Sequence, residues 1–245
     1  MIIHKISATT STNNYVKDLL KNNNLSQDIA VWAKNQTKGK GQMGSQWYSK
    51  EGESLTFSVY KRFYDFKVGH QFYISIAASL AIKKVLEDYG IQNITVKWPN
   101  DIMSADKKIC GILIENILKE KNIKGSIIGI GLNVNESSFE NLPGATSMKI
   151  VSGKEFAIEG IFEALLGSIN LLFQELKPND FQKLKSNYLN CMYRKDRVSV
   201  FETSDKKVFN GIIRGVSESG KLEVEIEDAS KVLFDLKEIK MLNGL

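Results

Sequence analysis

The sequence predicts an α+β protein: a β-sheet with flanking helices over residues 1–190, then a small β-barrel over residues 191–245. Two observations carry this. Strand-like stretches at 2–6, 28–33, 55–59, 94–98, 109–115 and 126–134 are interspersed with apolar-periodic helical segments at 71–89, 156–176 and 181–189. From Asp196 the pattern changes to short stretches that alternate apolar and polar residues, at 198–201, 208–213, 221–227 and 232–236. Turns at Ser204-Asp205, Ser219-Gly220 and Asp228-Ala229 separate them, the signature of a small barrel.

The chain of 245 residues holds 42% hydrophobic and 25% charged residues, ordinary for a globular protein with a sizeable core. Lys and Arg number 33 against 28 Asp and Glu, a net charge of +5. Anionic ligands suit that surplus, and nucleic acid is not demanded by it. Cys110 and Cys191 are too few for a disulfide framework or a thiolate metal site, and His4 and His70 too sparse for a histidine metal cluster. The N-terminus reads as a strand rather than a signal segment. The best apolar run, 72–82, falls short of the roughly 20 residues a membrane span needs. The expectation is a reduced, soluble, cytoplasmic protein.

Along the chain, the polar cluster Thr9 to Asn14 precedes the periodic run Tyr15, Val16, Leu19, Leu20, so it caps a helix that Asn22-Asn23-Asn24 stops. Capping needs one hydroxyl, and the others are spare donors and acceptors at a positive helix end. Strand 28–33 delivers Lys34 and Gln36 into Lys38 to Ser58, where Gly39, Gly41 and Gly44 interleave with Lys38 and Lys40 ahead of Trp47. Such a stretch is either a surface hairpin or a loop whose backbone N–H groups and lysines meet an anion beside an aromatic face. A turn near Tyr64-Asp65-Phe66 precedes helix 71–89, with His70 a capping or surface residue at its start.

Strand 94–98 points Lys97 away from Val96 and Trp98 and enters the turn Pro99-Asn100-Asp101. A hairpin turn at Asp106-Lys107-Lys108 leads to strand 109–115, whose Gly111 marks close approach by a ligand or backbone. Strand 126–134 carries Gly129, Gly131 and, at its end, Asn133. Ser147 to Val151 reads as a short extended link. Lys97 and Lys108 read equally as solvated strand-end charges, Trp98 as core, and Gly129 and Gly131 as close-packing positions.

The motifs Ser11-Thr12-Asn13, the basic glycine loop ending in Trp47, Lys97-Trp98-Pro99-Asn100-Asp101, Lys108 to Glu115 (KICGILIE) and Gly129 to Asn133 (GIGLN) resemble, in this order, those of the biotin–protein ligases. The resemblance spans about residues 10 to 135, with a terminal SH3-like barrel fitting 193 to 243. It implies a mixed sheet with helices packed on one side, related to class II aminoacyl-tRNA synthetases. It implies a carbon–nitrogen ligase that joins biotin to ATP as biotinyl-5'-AMP, with Mg²⁺. The acyl group then passes to a lysine of the biotin carboxyl carrier domain of a biotin-dependent carboxylase.

Lys108 matches the residue that meets the biotin carboxylate and phosphate, with Lys97 and Lys40 adding positive charge; these are the catalytic candidates. The biotin candidates are Ser11, Thr12, Asn13, Gln36, Lys40, Gly41, Gln42, Trp47, Lys108, Gly111 and Leu113. The ATP candidates are Gly39, Lys40, Gly41, Gln42, Met43, Trp47, Asn100, Asp101, Asn133 and Lys240, with Asp101 a candidate to organise Mg²⁺. A carboxylate attacking a phosphate needs such cations to offset anion–anion repulsion. The glycine loop is expected to close over the adenylate and keep water from it.

Three departures stand out. Gln42 replaces an arginine that touches the ligand in well-known bacterial members, which puts adenylate retention in doubt. Ala145 and Thr146 stand where some members carry a tryptophan over adenine. Leu242 stands where some members carry an arginine that reaches the nucleotide, with Lys240 a candidate substitute. The STN motif arrives by residue 13, so the expectation is an enzyme without a helix-turn-helix domain or DNA binding, acting as a monomer or homodimer. The nearest rival is a lipoate–protein ligase or octanoyltransferase, against which KWPND and the barrel count. A nucleic-acid-binding module is the other rival, and Glu223, Glu225, Glu227 and Asp228 on the barrel oppose it.

Overall fold

The computed structural model describes residues 1–22, 27–140 and 142–242. Strand β1 (Ile2–Thr9) leads to helix α1 (Thr12–Asn22), strand β2 (Ile29–Gln36), and a small hairpin of β3 (Gly39–Lys40) and β4 (Gln46–Trp47). The long strand β5 (Ser54–Lys67) precedes helix α2 (Phe72–Asp88). Strands β6 (Ile94–Lys97), β7 (Asp101–Ser104), β8 (Lys107–Lys119) and β9 (Asn122–Asn133) follow as hairpins. Helices α3 (Met148–Ser152), α4 (Ile158–Gln174) and α5 (Phe181–Asn190) come next. Strands β10 (Val198–Thr203), β11 (Val208–Val216), β12 (Leu222–Glu225), β13 (Lys231–Phe234) and β14 (Ile239–Met241) end the described chain.

The main sheet has seven strands in the order β1-β2-β5-β9-β8-β7-β6. Among the described strands of this sheet only the β1–β2 pair is parallel, so the sheet is mixed, as expected. Strand periodicity sorts its side chains between two cores. Ala30, Phe57, Val59, Ile128 and Ile130 join α2 and α4 in the large cluster, where Phe162 meets Phe57 edge-to-face at 5.3 Å. Ile29, Val31, Tyr60 and Ile127 face the other way, against Val16 of α1. The helices therefore do not all lie on one side: α1 covers part of the opposite face, because Val16 and Leu19 need an apolar surface of their own.

The second sheet is antiparallel and five-stranded, in the order β13-β12-β11-β10-β14. One strand more is present than alternation suggests, since β14 is too short to show a period. Phe201, Ile213, Leu222 and Ile239 belong to the same cluster as Ile74, Ile82 and Tyr188, so one core crosses residue 191. Trp98 Nε1 donates to the Gly220 carbonyl at 2.8 Å, and the Tyr73 hydroxyl donates to Glu218 at 2.6 Å.

Four stretches depart from the sequence expectation. Residues 64–66 lie within β5, where a register shift against β9 between Arg62 and Phe66 absorbs the irregular polar pattern. Ser147 to Val151 is helical rather than extended: Ser147 Oγ accepts from Ile150 N, and Gly153 at φ 72° ends the helix. The hairpin turn falls at Ala105-Asp106, with Ala105 at φ 51°, which leaves Lys108 inside β8. His70 packs among Phe66, Tyr73 and Phe181 rather than capping α2. The Asn23-Asn24 stop signal lies outside the described residues.

Tyr188 is fully buried, and its hydroxyl has no hydrogen-bond partner among the described residues. Burial pushes its phenol pKa up. Tyr188→Phe keeps the edge contact with Phe72 and removes a desolvated hydroxyl. It is expected to stabilise the protein by about 1 kcal/mol in urea denaturation.

Candidate active site

The face of the main sheet that α1 leaves open holds a cavity of about 180 Å³. Its floor is β8 and β9, its far wall the start of α1 with Gln36, and its roof the β3–β4 hairpin. Trp47 reaches down from that hairpin onto two glycines. A Cβ at Gly131 would stand 2.3 Å from Trp47 Cε2, and one at Gly111 would stand 3.0 Å from Cζ3. Glycine in these strands is therefore a condition for the indole to lie flat on the sheet. Between β3 and β4, Gly41 N donates to the Ser45 carbonyl at 2.7 Å, and Met43 sits at φ 57°.

The wall is a hydrogen-bonded series. Gln36 Oε1 accepts from Thr12 N at 2.8 Å and lies 3.0 Å from Thr12 Oγ1. Ser58 Oγ lies 2.7 Å from Thr12 Oγ1 and 2.6 Å from Asn13 Oδ1. Asn13 Nδ2 donates to Glu115 Oε2 at 2.8 Å and, at 3.4 Å, to the Leu113 carbonyl. Lys17 Nζ completes the series 2.5 Å from Glu115 Oε1. Burial opposes the Glu115 charge, but hydrogen bonds from Lys17 and Asn13 outweigh it and hold the carboxyl below its ordinary range. Ser11, Thr12, Asn13 and Ser58 are all buried.

The opposite end is cationic. Lys108 Nζ is 2.6 Å from Asp101 Oδ1 and 5.5 Å from the centre of a Trp47 ring. Strand register sets Asp101 opposite Lys97 on one side and Gly111 on the other. Burial lowers the Lys97 pKa; Asp101 counters this, while Lys108 and Lys240 add to it. Lys97 Nζ also stands 5.8 Å from the Tyr193 ring. Beyond this end a second cavity, about 470 Å³, opens between the two sheets. Met43, Lys97, Tyr193, Lys237 and Lys240 line it, and Gln42 and Asp101 line both cavities.

Of the residues singled out from sequence, Ser11, Thr12, Asn13, Gln36, Lys40, Gly41, Gln42, Trp47, Asn100, Asp101, Lys108, Gly111 and Leu113 line the first cavity. Met43, Lys97 and Lys240 line the second. Gly39 lies in the hairpin against Trp47, where a Cβ would stand 2.4 Å from the Trp47 carbonyl oxygen. Asn133 lines neither cavity: it is buried, and its Nδ2 donates to the Thr146 carbonyl at 2.9 Å. Asn100 spends its Nδ2 on the Ile112 carbonyl at 2.7 Å. Lys40 Nζ donates to Asn14 Oδ1 at 3.0 Å. Sequence reasoning does not pick out Ser45, Gln46, Gly129 and Gly131 as lining residues, nor Ser58 and Glu115 behind the wall. Ser58 gives no signal beyond a polar position in an apolar strand. Glu115 closes the KICGILIE motif, but its proximity to Asn13 is not readable there.

The fold and site define a class, and sequence comparison agrees. The chain belongs to the biotin/lipoate A/B protein ligase family, whose model matches residues 6–133. It is 28% identical over 225 residues to the bifunctional ligase/repressor BirA of Bacillus spizizenii, covering 88% of this chain and 67% of that protein. It is 32% identical over 149 residues to the biotin–[acetyl-CoA-carboxylase] ligase of Mycobacterium tuberculosis, covering 58% of this chain and 53% of that one. The fold matches biotin protein ligase from Aquifex aeolicus, solved with biotin and ATP, at a TM-score of 0.79 and 24% identity over 99% of both chains.

Two outcomes are expected. Gly131→Ala evicts Trp47 from the floor, read as increased acrylamide quenching of tryptophan emission. Lys97→Met stabilises the fold at pH 7. The folded pKa of Lys97 lies below its unfolded value, so its burial cost is full while the amine is charged in both states. That cost fades as pH rises through the folded value toward about 10.5. Denaturation at pH 7 and pH 10 should show the gain shrinking.

Proposed function

We propose that the chain is an ATP-dependent biotin–protein ligase. A biotin carboxylate oxygen attacks the α-phosphorus of ATP, the bond to pyrophosphate breaks, and biotinyl-5'-AMP forms. A lysine amine of a biotin carboxyl carrier domain then attacks the acyl carbon, loses its proton, and AMP leaves with the acyl C–O bonding pair. The observation that carries this reading is that two neighbouring cavities share Asp101, the partner of Lys108, as a lining residue. One cavity has a polar far wall and an indole flank; the other is lined by lysines.

In this reading the ureido head of biotin meets Thr12, Gln36 and their neighbours, and Trp47 packs on its apolar rings. Lys108 meets the carboxylate and α-phosphate, where positive charge stabilises the transition state most. Lys97, Lys40 and Lys240 offset the remaining phosphate charge. Asn100 serves the site by fixing β8, and Asn133 by fixing the loop before α3. Gln42 holds the adenylate less firmly than an arginine would, having no charge.

Among the described residues no three His, Cys, Asp or Glu side chains stand together in a metal-binding group, and Asp101 is already paired with Lys108. These residues do not make a resident metal site, so Mg²⁺ is proposed only as the companion of ATP. The second sheet is proposed as an SH3-like domain from residue 191, by analogy with the resemblance. No helix among the described residues is long and apolar enough to cross a membrane. A cytoplasmic setting is proposed from the two free thiols, Cys110 and Cys191, and from the ATP that the reaction consumes. The chain is proposed to work as a monomer or homodimer and without DNA. Glu227 and Asp228 beside Phe209 and Phe234 on the second sheet speak against a nucleic-acid surface.

Incubation with ATP, Mg²⁺ and either biotin or lipoate tests the reading through pyrophosphate release and adenylate mass. Biotin-dependent adenylate is expected, falling at least about 100-fold in Lys108→Ala. Adenylate with lipoate alone would move the activity to the sister branch of the family. Folded protein making neither would leave a binding module.

A further inference from the structure

We propose that Asn133 is a positioning residue for Lys108. It holds the segment 144–146 in the place where β9 has ended, and that segment sustains the β-bulge that turns Lys108 into the cavity. The inference rests on the reading above for the part Lys108 plays at the carboxylate and α-phosphate.

Strand alternation alone would point Lys108 away from the site. Successive side chains of a strand take opposite faces, so residues three apart should face apart. Yet Lys108 and Gly111 share the cavity face. Both line the cavity, and a Cβ at Gly111 would stand 3.1 Å from Lys108 Nζ. The extra residue between them is Ile109. Ile102 stands opposite Cys110 and Met103 opposite Lys108, one step along β7 against two along β8. Ile109 and Cys110 both join the large core, so two consecutive side chains take the same face. A bulge of this kind re-aims the side chain beside it. In regular pairing Lys108 would follow Cys110 and Ile112 into the core.

The bulge turns the Lys108 backbone as well. Ile112 N donates to the Asn100 carbonyl at 3.0 Å, toward the β7 side of β8. A two-residue period would turn the Lys108 backbone the same way. Met103 holds that side, and Lys108 bonds across the other edge, past the last β8–β9 pair in this direction, Cys110 with Leu132. There Lys108 N donates to the Gly144 carbonyl at 2.8 Å, and Thr146 N donates to the Lys108 carbonyl at 2.9 Å. Ala145 thus forms a parallel bridge with Lys108. Without segment 144–146 both backbone groups would lose their partners, and the bulge its support. Asn133, the last residue of β9, keeps the segment in place: its Nδ2 donates to the Thr146 carbonyl at 2.9 Å. Asn133 and Thr146 are each 3% exposed, so water does not replace that bond when it is removed.

The test is a double-mutant cycle on biotin-dependent pyrophosphate release. Asn133→Ala is expected to lower kcat at least about tenfold, because a small displacement of a reacting group is enough to cost that much. The KM values for biotin and ATP should stay within about threefold of wild type, since neither ligand meets Asn133. In a Lys108→Ala background the same substitution should change the rate by less than about twofold, because its effect passes through the missing side chain. A merely structural loss would carry through both backgrounds. An unchanged kcat in folded Asn133→Ala, an equal fall in both backgrounds, or a rise in the KM for ATP at unchanged kcat would each overturn the proposal. Amide hydrogen exchange on the wild-type protein supplies a measurement that no variant needs to survive. The Lys108 and Thr146 amides should be protected at least about 100-fold over an unstructured chain, and unprotected exchange at either would also overturn the proposal. Wild-type protein with both amides protected that makes no adenylate would overturn the functional reading instead.

Discussion

The register of neighbouring strands is the constraint on which the site depends. Thr56, Gly131, Gly111, Asp101 and Lys97 stand opposite one another in a row across β5, β9, β8, β7 and β6. Ser58, Gly129 and Leu113 form the next row on the same face. The first row gives the indole its floor and leads to the cation end; the second carries the polar wall. A slip of one residue in any ladder would turn its glycines and polar groups into the helix-covered core and its isoleucines into the cavity. Phe57, Ile130 and Ile112 on the buried face prevent that slip, because each needs the large core. The apolar side of the sheet therefore maintains the alignment of the chemical side.

The site also carries local costs that the rest of the fold offsets. Lys97 is charged where burial disfavours charge. Glycines interrupt β8 and β9, where side chains would strengthen the strands. The core shared by both sheets, with Tyr188, Phe162 and Ile82 at full burial, is the compensating reservoir. Such concentration of unfavourable terms at one end of a well-packed sheet is what a functional site requires.

Much of this was legible in the sequence, for identifiable reasons. Local polar clusters at strand ends, such as Ser11 to Asn13 and Lys97 to Asp101, are contiguous in the chain, so pattern reading finds them. The helices at 71–89 and 156–176 were legible because their apolar period is long. What escaped depends on contacts between distant segments. Ser58 matters only because β5 passes under α1. Glu115 matters because Asn13 arrives beside it. Asn133, at a strand end like the binding residues, spends its amide on a loop 13 residues later. Short elements escaped as well, since α3 and β14 are fixed by a cap and by pairing with β10 rather than by periodicity.

The turn at Gln42 to Gly44 is also a meeting point. Gln42 lines not only the two cavities of the site but a third, about 330 Å³, beside Gln71, Ser75 and Lys221. Three compartments thus meet at one side chain, carried on a turn with no buried residue of its own. Whatever stands at position 42 therefore helps to shape all three compartments at once.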